Sequence, residues 1–211
     1  MADFKTHVVG GVATGGFFAT ISFISFALDP VQCFAVFTLG LLGGIIPDLD
    51  SDSGKPLALI SGSLSVLIPA LLLSKMPTAN TTSPEFLISY FAFCYFIINY
   101  VICELIKKMT SHRGIMHSIP FAFLSAEIAY LLFNGSGQKM ATMAALAIFS
   151  GCLIHLILDE LNSFYFKFYF IPLLNKSSGT AFKLYSKGIM ANFFIYVLVF
   201  GVSFIIFRSS L

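Results

Sequence analysis

The chain is poor in charged residues: Lys, Arg, Asp and Glu together make up 10% of its 211 residues. Soluble domains carry about 25% of such residues, because a charged shell has to cover their apolar core. This sequence lacks the residues to build that shell, while 57% of it is apolar and the mean hydropathy is +0.91. The composition therefore excludes an ordinary soluble domain and favours a protein whose solvent is lipid.

Three further absences exclude particular kinds of binding site. The net charge is only +2, which argues against a nucleic-acid partner, because phosphate contacts need a basic surface. No GxGxxG or Walker pattern follows a strand, so a nucleotide phosphate site is not predicted. No CxxC pair occurs, and the scattered cysteines are typical of small core residues; they are Cys33, Cys94, Cys103 and Cys152.

Long apolar blocks are what the sequence has in abundance. A helix that crosses the hydrocarbon layer needs roughly 17–25 such residues, and its backbone polar groups must be satisfied inside the bilayer. We therefore predict an all-α fold, a polytopic transmembrane bundle of about seven spans that forms one integral membrane domain over 1–211. The predicted spans are 8–28, 31–47, 57–73, 86–106, 115–133, 141–162 and 189–207.

Glycines recur along the first two predicted spans. Small residues let helix backbones approach closely in membranes, so these glycines predict tight packing of the two helices. They are Gly10, Gly11, Gly15 and Gly16 in the first span and Gly40, Gly43 and Gly44 in the second.

Lysine and arginine are unevenly distributed between the two faces that seven spans define. Because short loops rich in these residues stay in the cytoplasm, the face that holds the N-terminus is predicted to be cytoplasmic. Nine of the twelve cations lie there and three on the other face: Lys5, Lys55, Lys107, Lys108, Arg113, Lys167, Lys176, Lys183 and Lys187 against Lys75, Lys139 and Arg208.

Histidines and acidic residues collect at the same face, from four separate stretches of chain. Imidazole and carboxylate groups are the usual ligands of zinc, iron and manganese. Seven candidates exceed the three or four that one ion needs, so two or more ions, about 3.5–4 Å apart, are compatible with the set. The predicted ligands are His7, Asp48, Asp50, His112, His117, His155 and Asp159.

Local spacing supports ligation at two of these stretches. His155 and Asp159 are four residues apart and share one face of a helix. Pro47 favours a break after span two, so an extended segment is predicted to place Asp48 and Asp50 on one side.

The third stretch contains two histidines that are five residues apart. Gly114 predicts that His112 lies in a loop while His117 opens span five.

Activation of water is the chemistry that such a set predicts. A divalent ion lowers the pKa of a bound water toward ~7 and so provides hydroxide at neutral pH. A second ion, or Arg113, is predicted to hold the anionic oxygens of a phosphate group. Asp52 and Glu160 are the predicted general acid or base residues. Glu127 lies near mid-span and belongs to no motif.

Each stretch also has a plainer interpretation. A single histidine near a membrane interface is more often a satisfied polar residue than a ligand, and His155 with Asp159 also fits a hydrogen-bonded helix pair. The aromatic run 164–170 fits an interface belt better than a lip that guides an amphiphilic substrate. Together, however, the polar residues predict a functional site, because ionisable groups at membrane depth are costly.

The motifs resemble a known bacterial family. His7, GxxxPDLD at 43–50, HRGxxHS at 112–118 and HxxxDxxN at 155–162 resemble the LexA-regulated, inner-membrane metal-dependent hydrolase family (YdjM-like). That family is similar to zinc-dependent phospholipase C and P1-type nucleases, helical enzymes that cleave phosphoesters with clustered zinc ions. The resemblance implies an inner-membrane location, the seven ligands given above, and one to three divalent ions, with zinc ahead of manganese or magnesium.

We therefore expect a membrane-embedded metal-dependent hydrolase that cleaves a phosphoester, with a membrane lipid or lipid-linked substrate as its partner. A transporter that binds an ion or small solute with the same residues is the first alternative, although transporters usually bind near the midplane. A scaffold with a structural metal is the second, and a closed ligand set would favour it.

Overall fold

A computed structural model describes residues 3–50, 55–73, 76, 83–104, 115–162, 164–167, 171–174, 183–186 and 188–209. For residues 49, 50, 55–60, 164–167, 171–174 and 209 it describes the backbone alone. The predicted all-α fold is confirmed. Seven helices make up most of the described ranges: α1 Phe4–Phe26, α2 Pro30–Gly43, α3 Lys55–Leu73, α4 Pro84–Phe96, α5 Ile119–Phe133, α6 Gln138–Leu161 and α7 Ile189–Ser209.

Five described segments are long and apolar enough to cross a membrane: Phe4–Phe26, Pro84–Ile102, Ile119–Ser136, Gln138–Leu161 and Ile189–Arg208. The second of them joins α4 to a π-helical turn, Ile97–Ile102. Helix α2 has 14 residues, which rise only about 21 Å and fall short of a hydrocarbon core of ~30 Å. The predicted span 31–47 is longer than the helix, because the chain turns at Gly44 and Ile45 and the α-helix ends at Gly43.

Capping residues determine where the first two helices begin. Helix α1 starts earlier than predicted because the Asp3 carboxylate caps it and accepts the Thr6 N–H at 2.9 Å. It ends where Ala27 adopts a left-handed conformation with φ 52°. Asp29 and Gln32 then form a capping box that starts α2, in which each side chain accepts a backbone N–H of the other.

The chain divides into two compact units, Met1–Asp48 with Arg113–Leu211, and Leu49–His112. In the first unit, α1, α2 and α6 pack on one another, α5 packs on α6, and α7 packs on α5. In the second unit, α3 packs on α4, and the Tyr90 hydroxyl donates to the Pro69 carbonyl at 3.0 Å. The predicted single domain over 1–211 stays a prediction.

Glycines bring the backbones of α1, α2 and α6 into direct contact. A Cβ atom on Gly11 of α1 would lie 2.7 Å from the Leu41 carbonyl oxygen of α2, and one on Gly44 would lie 2.6 Å from the Gly11 Cα. A Cβ on Gly151 of α6 would lie 2.9 Å from the Gly43 Cα. The predicted close packing of the first two helices is thus confirmed, and α6 joins it.

Helix α7 is held against α5 by apolar and polar contacts. Ile115, Leu124 and Ile195 form a buried apolar cluster. Farther along the same two helices, the Ser203 hydroxyl donates to the buried Glu127 carboxylate. Part of the aromatic run lies in a small antiparallel hairpin, β1 (Phe164–Lys167) with β2 (Ile171–Leu174); its role as belt or lip stays a prediction.

Candidate metal centre

Five of the seven predicted ligands meet in one buried cluster at one end of the first unit. His7 lies one turn into α1, Asp48 follows α2, His117 precedes α5, and His155 and Asp159 lie near the end of α6. None of the five is more than 6% exposed. We call these residues the His/Asp cluster.

The segment that carries Asp48 differs from the prediction. It was expected to be extended, but Ile46–Asp50 forms a 3₁₀ helix. The turn after Gly44 lets the Asp48 N–H donate to the Ile45 carbonyl at 3.1 Å, so the chain tightens instead of extending. Asp48 therefore enters the cluster from a helical turn at the C-terminus of α2.

The position of His117 also differs from the prediction that it opens span five. Helix α5 begins at Ile119, because Ser118 is extended and its hydroxyl accepts the Phe121 N–H at 3.3 Å. The Ile119 N–H is bound by the Lys183 carbonyl at 3.0 Å. His117 thus lies in the turn before the helix, and the backbone bonds of its neighbours fix its position.

Three ligand atoms form a nearly equilateral triangle. His155 Nε2 lies 3.4 Å from His117 Nε2 and 3.6 Å from Asp48 Oδ1. His117 Nε2 lies 3.6 Å from the same Asp48 oxygen. Ligand atoms at about 2.0–2.1 Å around a tetrahedral zinc are separated by about 3.3–3.4 Å. The triangle therefore fits one face of a zinc site with only small adjustment.

His7 and Asp159 complete the cluster beside this triangle. His7 Nε2 lies 3.3 Å from Asp159 Oδ1, and Asp159 Oδ2 lies 3.8 Å from His117 Nε2. The His7 ring stacks on the His155 ring with centroids 3.7 Å apart. Two overlapping groups of three residues thus have ligand atoms within 4.8 Å of one another: His7, Asp48 and His155, and His117, His155 and Asp159.

The His7 ring has buried nitrogens that hydrogen bonds do not satisfy. The ring is 1% exposed, and among the described residues neither nitrogen has a hydrogen-bond partner. Buried polar atoms of folded proteins almost always have one. A cation bound between His7 and Asp159 would supply the interaction that this imidazole lacks.

A backbone carbonyl determines which nitrogen of His155 is available to a ligand. His155 Nδ1 lies 2.9 Å from the Gly44 carbonyl oxygen. A carbonyl only accepts hydrogen bonds, so Nδ1 carries the proton and the neutral ring presents the Nε2 lone pair to the cluster. Histidines that bind metal are commonly oriented by such a bond from their other nitrogen.

The Asp48 carboxyl is ionised at neutral pH. Burial disfavours its charged form and acts to raise its pKa, but the interactions with His117, His155 and His7 lower the pKa by more than burial raises it. The pKa of Asp48 consequently lies below its ordinary value of 3.8. Asp48 and Asp159 can together balance the charge of one divalent ion, which a set of neutral groups could not do.

The remaining predicted site residues are not brought into the cluster by the described structure. His112, Arg113 and Asp52 lie outside the described residues, and Asp50 is described by its backbone alone. Glu160 is half-buried next to Asp159, and the ligand groups found among the described residues do not include it. The roles predicted for these five residues stay predictions.

Sequence reasoning missed two partners of polar groups. The first is the Gly44 carbonyl that binds His155, for which no side-chain pattern provides a signal. The second is Ser203, which binds Glu127. A serine within the apolar run 189–207 was the available signal, but the sequence does not show which helix it faces.

Fold and cluster together define a class: a multi-pass membrane protein of packed helices with a buried set of imidazole and carboxylate groups at one helix end. Residues 1–210 match the YdjM inner membrane protein family. The chain belongs to that family, and the family description places it in the inner membrane. No curated protein and no solved structure matches the chain.

Proposed function

We propose that this protein is a membrane-embedded metal-dependent hydrolase that cleaves a phosphoester of a lipid or lipid-linked substrate. The observation that carries the proposal is the His/Asp cluster: five buried ligand residues from four chain segments, in which neighbouring ligand atoms lie 3.3–3.8 Å apart. When bound there, a divalent ion such as zinc would supply Lewis acidity, which lowers the pKa of a coordinated water toward ~7.

The chain's own residues have separate tasks in this proposal. Asp48, His117 and His155 hold the ion, because their three ligand atoms have the spacing of one face of a zinc site. His7 and Asp159, whose Nε2 and Oδ1 atoms lie 3.3 Å apart, extend the ligand set. The lipid substrate is inferred from the setting, since an enzyme embedded in the bilayer meets amphiphilic substrates there.

The depth of the cluster favours an enzyme over a transporter. Its residues lie at the start of α1, just before α5, and at or beyond the ends of α2 and α6. Transporters usually bind their substrates near the bilayer midplane, between broken helices. A site at one end of four helices is within reach of a head group at the membrane surface.

We also infer that the cluster faces the cytoplasm, because the predicted spans assign nine of the twelve Lys and Arg residues to loops on the side of the N-terminus. A reporter fused to the N-terminus, three residues before α1, tests this. Fluorescence of a reporter that folds only in the cytoplasm is the expected result. Activity of a reporter that folds only outside the cytoplasm would reverse the assignment.

Hydrolysis by purified protein tests the catalytic proposal. The metal-depleted protein is incubated with zinc or manganese and with phospholipid vesicles or soluble phosphoesters, and the release of head group or phosphate is measured. We expect metal-dependent release that falls at least about 100-fold in His117→Ala. Thr142→Ala is the matched control, because this exposed α6 residue bonds to Gln138 of its own helix.

The outcomes separate the proposal from its alternatives. Zinc binding without release from any phosphoester would contradict the hydrolase and favour a structural metal. Metal uptake into sealed vesicles without hydrolysis would favour a transporter.

A further inference from the structure

We propose that Gly44 is a positioning residue of the metal centre: its carbonyl orients His155, and the contact of its Cα with Gly11 of α1 holds that carbonyl in place. The inference rests on the proposed metal site and adds to it two residues that carry no ligand atom. The contact between Gly44 and Gly11 then contributes to metal affinity as well as to helix packing.

The contacts around Gly44 link helix packing directly to a ligand. A Cβ at Gly44 would meet the Gly11 Cα at 2.6 Å, the Gly11 nitrogen at 2.9 Å and the His7 carbonyl oxygen at 3.0 Å. The Gly44 carbonyl accepts the Nδ1 proton of His155 at 2.9 Å. Gly44 therefore lies against the backbone of Gly11 and His7, and its carbonyl accepts a hydrogen bond from the His155 ring.

The buried His7 nitrogens independently indicate that these contacts surround a ligand site. The His7 imidazole, whose nitrogens have no hydrogen-bond partner among the described residues, stacks on the His155 ring that Gly44 orients. The Gly44 carbonyl fixes the His155 ring plane, and the stacked His7 ring shares that orientation to within 15°. Moving the carbonyl would therefore disturb both imidazoles.

A methyl group at Gly11 would displace the neighbouring backbone by an amount that the contact distances predict. Its Cβ would lie 2.7 Å from the Leu41 carbonyl oxygen, and relief to an ordinary 3.4 Å contact needs a shift of about 0.7 Å. Helix α2 is held on its other side, where Gly43 contacts Gly151 of α6. If helix α2 takes up a shift of that size along the bond between His155 and Gly44, the bond lengthens from 2.9 Å to roughly 3.6 Å and is no longer a hydrogen bond.

The glycines of α1 provide matched controls. A Cβ at Gly15 would also meet an α2 backbone carbonyl, that of Phe37, one turn farther from the cluster. A Cβ at Gly16 would meet nothing within 4 Å. Gly15→Ala therefore introduces a clash at least as severe, with its Cβ closer to the carbonyl oxygen than at Gly11, but one turn farther from the cluster. Gly16→Ala introduces the same methyl group without a clash.

The experiment compares zinc affinity, the visible spectrum of the cobalt-substituted protein and the thermal unfolding of the full-length variants in detergent. We expect Gly11→Ala and Gly44→Ala to weaken zinc binding about 10- to 100-fold and to change the cobalt spectrum. Gly15→Ala should lower the unfolding temperature yet keep zinc affinity within about threefold of the original protein. Gly16→Ala should change neither property.

Equal loss of zinc affinity in Gly11→Ala and Gly15→Ala would overturn the inference, because the effect would then be one of general packing. Unchanged affinity in Gly11→Ala would overturn it as well. If Gly44→Ala does not fold, the comparison of Gly11→Ala with Gly15→Ala decides. Failure of the unaltered protein to bind zinc or cobalt would instead contradict the proposed metal site itself.

Discussion

Removal of the His155 imidazole tests whether the His/Asp cluster binds a metal as one unit. Two of the three distances in the ligand triangle involve His155 Nε2, which lies 3.4 Å from His117 Nε2 and 3.6 Å from Asp48 Oδ1. In His155→Ala only two ligand atoms of the triangle remain, Asp48 Oδ1 and His117 Nε2, which lie 3.6 Å apart. The substitution also removes the ring on which His7 stacks. We therefore expect the variant to lose zinc-dependent stabilisation altogether.

The expected size of that stabilisation follows from binding linkage. Zinc at about 100 times its dissociation constant stabilises the folded protein by ~2.7 kcal/mol. For a chain of 150–250 residues, ~1 kcal/mol corresponds to about 2–4 °C in Tm. Zinc should thus raise the Tm of the unaltered protein by roughly 5–11 °C, and that of His155→Ala by nothing measurable.

Far-ultraviolet circular dichroism of the detergent-solubilised protein is a suitable assay, because the chain is helical and contains no tryptophan. The control is Thr142→Ala on the same helix, where the full zinc-dependent rise should persist. An equal rise in His155→Ala and in the unaltered protein would refute the reasoning, since zinc would then stabilise the fold from elsewhere.

Two further predictions concern the fold and are measured by the same thermal unfolding. Ser203→Ala removes the hydroxyl that donates to buried Glu127 and should destabilise the protein by about 0.6–1.7 kcal/mol. An unchanged Tm would show that this hydrogen bond does not hold α7 to α5. Ala27→Gly relieves the left-handed conformation at φ 52° and should stabilise the protein by roughly 1 kcal/mol; a lower Tm would contradict strain at this turn.

The helices could be predicted from the sequence because lipid imposes a simple rule on it. Apolar runs of sufficient length have to be helical in a bilayer, and the described part of the chain contains seven helices near the predicted positions. Their ends were less accurate where a single polar group decides the boundary. Asp3 starts α1 early, and Ser118 delays α5 past His117.

The convergence of ligands could be anticipated because the alternation of spans brings helix ends to a common face. The detailed geometry could not, since it depends on contacts between segments distant in sequence. Asp48 was expected in an extended segment, but the hydrogen bond of its N–H to Ile45 makes the turn helical. The partner of Glu127 was likewise invisible, because only the packing of α7 on α5 selects Ser203.

X-ray absorption of the zinc-loaded protein tests the central claim most directly. If Asp48, His117 and His155 hold the ion, the spectrum should show nitrogen and oxygen ligands at about 2.0–2.1 Å, with the outer-shell scattering of imidazole rings. His155→Ala should reduce that imidazole signal or bind no zinc. A purified protein without stoichiometric zinc, or one whose zinc shows no imidazole scattering, would contradict the account.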